Sequence, residues 1–97
     1  MNDELFDWDD ANIGHVAEHA VTPEEAEEVV LGDPMDLGYD VSDSGEERWS
    51  YVGETSSARI LQVVVTLRGE KIRVLTAFEP TRRDRLHYLE HKAREHE

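Results

Sequence analysis

The spacing of apolar positions along the chain changes from helical to alternating and back to helical. "LFDWDD", Leu5 to Asp10, mixes apolar and acidic residues and reads as a short strand or extended segment. After it, Ile13, Val16, Ala17 and Ala20 recur at helical spacing. They predict a helix capped by Asp9 or Asp10 and running to about His19. "TPEEAEEVVLGDP" carries the clearest local signal. Thr22 is an N-cap, Pro23 sits at the first helical position, Glu25 closes a capping box, and Gly32 with Asp33-Pro34 ends the helix. Glu24 and Glu25 suit the positive end of the helix dipole, and Ala26, Val29, Val30 and Leu31 supply its apolar residues.

From Met35 to Glu47 the chain is rich in Gly, Asp and Ser, a loop with a weak edge strand near Tyr39 to Val41. Three strands follow. "RWSYVGE" alternates, "ARILQVVVTL" is more apolar and reads as a central strand, and "EKIRVLTAF" pairs with it across an Arg68-Gly69 turn. Pro80, which has no N–H to donate, ends the ladder. Thr81 caps a last helix with Asp84 at its third position, and Leu86, Leu89 and Ala93 form its apolar stripe. The order predicts one α+β domain over residues 1–97: N-terminal helices, an antiparallel three- to four-stranded sheet and a C-terminal helix.

Composition narrows the functional classes. The chain has 97 residues and no cysteine, which excludes disulfides and thiolate metal sites. Met1 to Asp10 carries five acids and no base, unlike a secretory signal, and no apolar run is long enough for a membrane span. A soluble, cytoplasmic protein is expected. The formal charge of −13 is unevenly placed. Met1 to Glu47 holds sixteen Asp or Glu and no Lys or Arg; Arg48 to Glu97 holds ten Lys or Arg against seven acids. Such a split suggests a separate partner for each half, or two halves that face one another; an acid-rich, Lys-poor surface is also what a salty cytoplasm selects. A charge of −13 disfavours nonspecific binding to nucleic acid.

Three groups of side chains bear on chemistry. "HYLEH", His87 to His91, matches the H-x-x-E-H zinc-protease pattern, but that site needs a further ligand and six residues follow His91. The match reads as accidental, and no metal is expected. "HVAEH" sets His15 and His19 on one helix face, surface histidines by default, with His19 also suited to general acid–base work. The basic set is Arg59, Arg68, Lys71, Arg73, Arg82, Arg83 and Arg85. Period 2 puts Arg73 on one strand face with Lys71, Leu75 and Ala77. Arg82 and Arg83 fall in the first turn of the last helix, where the dipole disfavours cations. A carboxylate from the acidic half or a phosphate would compensate them.

"FDWDD", "EHAVTPEEA", "GDP", "GEERWSYVGET" and "RILQVVVTLRGEKIRVLTAFEPTRRDRLHYLE" together resemble the BrnT toxin family, ribonuclease partners of BrnA in type II toxin–antitoxin systems. The resemblance runs from about Leu5 to Glu90 and implies a RelE-like α+β fold, cleavage of mRNA without a cofactor, and a BrnA-like antitoxin. A homodimer within the toxin–antitoxin complex is also open. His19, Arg59, Thr81, Arg82 and Arg83 match family positions. His19, Arg59 and Arg82 are the expected catalytic residues, with Arg73 and Arg83 binding RNA and either His19 or Glu79 accepting the 2′-hydroxyl proton. Two sites depart. The family usually reads Lys-His-Gly where this chain has Glu18-His19-Ala20, and Ser-Ala-Arg where it has Thr76-Ala77-Phe78. The alternative is a non-catalytic interaction protein on the same scaffold.

Overall fold

The protein is described by a computed structural model in which residues 1–95 are placed; the last two residues of the predicted 1–97 domain lie outside the described residues. Its elements are α1 (Asp10–Ala17), α2 (Pro23–Leu31), β1 (Met35–Val41), β2 (Glu47–Glu54), β3 (Ile60–Arg68), β4 (Lys71–Phe78) and α3 (Arg82–Glu95). The four strands form one antiparallel meander in the order β1-β2-β3-β4. The predicted α+β architecture is therefore observed, with four strands. The edge strand foreseen near Tyr39 is the longer β1, because Met35 and Asp36 also pair, with Val52 and Tyr51 of β2.

Local chemistry sets the helix ends. At α2, Thr22 and Glu25 form the expected capping box, with Pro23 in the first turn. At α1 the box is made by Asp9 and Asn12. Asn12, 4 % exposed, also donates to the carbonyls of Asp7 and Val74, so this polar side chain is buried with its amide satisfied. Helix α1 stops two residues short of His19. The N–H of Val21 bonds the Val16 carbonyl and that of Ala20 bonds the Ala17 carbonyl, a Schellman ending with Ala20 at φ 56.

The main core lies between one sheet face and α1 and α2, built on Phe6, Val16, Val21, Ala26, Val29, Leu61, Val63, Val65, Val74 and Ala77. At Gly53 a Cβ would sit 3.0 Å from the Val29 side chain, so glycine is what lets α2 lie against β2. Alternation turns Ile60 and Val52 to the reverse face, where they pack with Met35 around Tyr88. Tyr88 is the one buried residue of α3; Leu86 and Leu89, expected to be its apolar stripe, are 49 % and 43 % exposed. The larger ring fills the end of the sheet and donates its hydroxyl to Glu54 at 3.1 Å. Burial, then Glu54, raises the Tyr88 phenol above its ordinary value.

Two details of β4 differ from simple alternation. A bulge at Leu75 puts Val74 and Ala77, three residues apart, on the same buried face, so Lys71, Arg73, Leu75 and Ala77 do not share a face. The β3–β4 turn is Gly69-Glu70 rather than Arg68-Gly69, since Arg68 pairs with Lys71 and Gly69 takes φ 61. The outer edge of β4 is closed by the N-terminal segment, where Phe6 bridges Ile72 in parallel.

Candidate active site

Arg59 is the hub of the expected site. It lies just before β3, and its Nη1 donates 2.7 Å to the Ala20 carbonyl and 3.2 Å to both oxygens of Glu25. Nη2 reaches the His19 carbonyl at 3.5 Å and stands 4.0 Å from Glu79 Oε1. The cation thus sits at the C-terminal end of α1, where the helix dipole and free carbonyls favour it. Burial pushes the Glu25 carboxyl up, but the Thr22 N–H and the Arg59 guanidinium outweigh it and hold the group below its ordinary value. Glu25 therefore closes the α2 cap and fixes Arg59 at the same time. No short-range sequence signal shows the second role, because 34 residues separate the pair.

His19 is exposed in the turn after α1, its ring centroid 6.2 Å from that of His15 and 5.9 Å from that of Phe78. The two histidines are neighbours as expected, although His19 is past the helix end. His19, Arg59, Phe78 and Glu79 are thereby gathered at one end of the sheet. Three residues beyond Glu79, Arg82 opens α3 behind the Thr81 cap, whose hydroxyl accepts the Asp84 N–H at 3.2 Å. Arg82, Arg83 and Arg85 are exposed and make no ion pair with the described residues.

Arg73 belongs to a different cluster. Its two terminal nitrogens grip Asp9 at 3.1 Å each, and Nη1 also meets Asp7 at 3.3 Å. The Arg73 hydrogen bonds hold the Asp9 carboxyl below its ordinary value, and the same bonds raise Arg73. With Asp40–Arg48, Glu46–Arg68 and Asp33–Lys92, these contacts show where much of the charge split goes: the acidic half neutralises the basic half. His91 is taken by Glu95 at 3.0 Å, and among the described residues no group of three His, Asp or Glu is arranged to hold a metal ion.

The family model described as the ribonuclease toxin BrnT of type II toxin–antitoxin systems matches residues 8–84, from the segment before α1 to the first turn of α3. The chain belongs to the BrnT toxin family. No curated protein matches it. The match contains His19, Arg59, Arg73, Arg82 and Arg83, whereas α3 beyond Asp84 falls outside it. Membership makes this a ribonuclease toxin type with an antitoxin partner. Among the described residues no helix is long and apolar enough to cross a membrane.

Proposed function

We propose that this BrnT-family chain is an endoribonuclease, on a RelE-like scaffold, that cuts mRNA in the cytoplasm at the corner around Arg59 and is neutralised by a BrnA-like antitoxin. One observation carries the reading. The Arg59 guanidinium bonds the backbone carbonyls of His19 and Ala20 and stands 4.0 Å from Glu79, so one cation ties the backbone that carries His19 to the segment leading into α3. In the reaction, His19 takes the proton of the ribose 2′-hydroxyl. The 2′-oxygen bonds to the neighbouring phosphorus, the bond to the 5′-oxygen breaks, and the departing oxygen takes a proton from solvent water. Arg82 and Arg83, which pair with no carboxylate among the described residues, balance the charge that builds on phosphate. Arg59, held by Glu25 and two carbonyls, is assigned a positioning role. Arg73 reaches RNA only by giving up Asp7 and Asp9, and contributes less than Arg83. The reading calls for no cofactor.

A second reading has its own observation: the His19 ring packs beside Phe78, and Glu18 and Phe78 stand where the family usually carries cations. On that reading the chain binds antitoxin without cutting. Incubation of the purified chain with a single-stranded RNA oligonucleotide, resolved on a gel, separates the two. The first predicts cleavage that falls on the order of 10²-fold or more in His19→Ala and Arg82→Ala. Intact RNA with the wild type, together with harmless expression in cells and retained antitoxin binding, would establish the second.

A further inference from the structure

Helices α1 and α2 cover only part of the sheet face on which they pack. Beyond α2, Val30, Trp49, Tyr51, Val65, Leu67 and Ile72 line an open cavity of about 300 Å³. Register extends this lining to the sheet edge. Tyr39 pairs with Trp49 and Val41 with Glu47, so Tyr39 and Val41 stand on the same face as Trp49, and the Tyr39 ring lies 5.4 Å from that of Trp49. Tyr39, Val41 and Leu67 are 56 %, 52 % and 57 % exposed. An apolar band therefore crosses all four strands and ends at the outer edge of β1, which no strand among the described residues covers. Single exposed apolar residues need no explanation, but a contiguous band beside an open strand edge does.

The charges around the band select what can cover it. Glu47 on β2, Glu70 in the β3–β4 turn and Glu4, beside the Leu5 carbonyl that bonds Ile72, make no ion pair with the described residues. The nearby cations are already engaged: Arg48 by Asp40, Arg68 by Glu46 and Lys71 by the Asp3 carbonyl. The unanswered charge at the rim is negative. A second copy of the chain could offer α3, with its exposed Leu86 and Leu89 beside Arg82 and Arg83. It would also bring a second charge of −13, which opposes encounter. A separate basic protein gains from the same field.

We propose that this acid-rimmed band is a docking surface for a basic amphipathic helix of another protein, and that this protein is the antitoxin; the latter identification rests on the toxin reading above. The helix would extend the layer that α1 and α2 begin. Four strands spaced by about 4.8 Å make a band that a helix of about ten to thirteen residues crosses. Its leucine-like face would enter the cavity at Trp49 and Leu67, and its lysines or arginines would meet Glu47 and Glu70. The interaction is electrostatically steered and weakens with salt.

The test uses the full chain and two labelled synthetic peptides, one an amphipathic Leu/Lys helix and the other the same helix with Glu in place of Lys, followed by fluorescence anisotropy. The Leu/Lys peptide is expected to bind and the Leu/Glu peptide not. Leu67→Asp and Glu47→Lys, both at exposed positions, are expected to weaken binding about tenfold or more, while Leu86→Asp on α3 leaves it unchanged. Thermal melts establish that each variant is folded. Equal binding by wild type and both band variants would overturn the proposal, because the net charge alone would then account for the affinity. A dimer seen by light scattering and abolished by Leu67→Asp would also overturn it, assigning the band to a second copy. RNA cleavage is measured separately on the same proteins. An inactive wild type that binds the Leu/Lys peptide through Leu67 removes the ribonuclease reading and leaves the docking surface standing.

Discussion

The Arg59 guanidinium donates 2.7 Å to the carbonyl of Ala20, a residue held at φ 56. The bond fastens the one turn in which an L-residue with a side chain closes the Schellman ending of α1. His19 precedes Ala20 and its carbonyl also meets Arg59, so the backbone that carries the imidazole and the turn itself are coupled to the same cation.

That coupling makes Ala20→Gly a direct probe. A non-glycine residue in the left-handed region costs about 1–2 kcal/mol, and glycine gives back roughly 0.4–1 kcal/mol through the freer unfolded chain. The balance favours glycine by about 0.5–1 kcal/mol. Urea unfolding should show Ala20→Gly more stable than wild type by that amount, with RNA cleavage unchanged. A loss of stability would mean that the turn does not hold Ala20 in this conformation.

Glu25→Gln isolates the charge on the other side of Arg59, since glutamine can still close a capping box. The Glu25 carboxyl is held below its ordinary value of 4.5 by Thr22 and Arg59, against the effect of burial. A carboxyl lowered in the folded state contributes stability that is complete above its unfolded value and fades as pH falls through the folded value. Glu25→Gln should therefore cost about 1–2 kcal/mol at neutral pH, and the gap from wild type should close below about pH 4.5. A gap that is constant from pH 7 to pH 3 would show that the charge of Glu25 does not matter.

The elements that sequence makes visible here are those whose cause is local. Thr22, Pro23, Glu25 and Gly32 bound α2 by chemistry within one turn of the chain, and α2 is found where those residues place it. Helix α1 ends earlier than its apolar spacing suggests because Ala20 accepts a conformation that glycine would have announced. Only the Tyr39 to Val41 part of β1 is legible in sequence, because its Gly and Asp residues are poor strand formers and pairing to β2 is what extends it. The site divides the same way. His19, Arg59 and Arg82 are legible as residue types, but the partners that commit Arg59 to Glu25 and Arg73 to Asp9 lie 34 and 64 positions away. Only the fold shows which arginines are left for a ligand.

Tyr88 is the sole buried anchor of α3, at 1 % exposed. Tyr88→Ala should cost about 3–5 kcal/mol, and Tyr88→Phe, which loses only the bond to Glu54, about 1 kcal/mol. Because Arg82 and Arg83 ride on α3, the alanine variant should also release RNA more readily and expose the helix to limited proteolysis. Unfolding midpoints and the position of the first proteolytic cut check this. A Tyr88→Ala chain with an intact, protease-resistant α3 would show that another contact holds the helix.

Glu18 tests whether RNA passes the His19 corner at all. Its carboxylate is 69 % exposed and sits 3.8 Å from His15, too loose a pair to matter for folding. Replacing it by lysine, the residue the family usually carries before the histidine, removes a repulsion from phosphate and supplies an attraction. If a phosphate comes within reach, Glu18→Lys should tighten single-stranded RNA binding and steepen the dependence of log K on log salt by about 0.7 for the added contact. Cleavage at limiting RNA should rise with the affinity, while the unfolding midpoint should hardly move. An affinity gain with no change in salt slope would show that lysine acts only through net charge. No gain at all would place the RNA path away from His19 and leave Arg82 and Arg83 to be tested on their own.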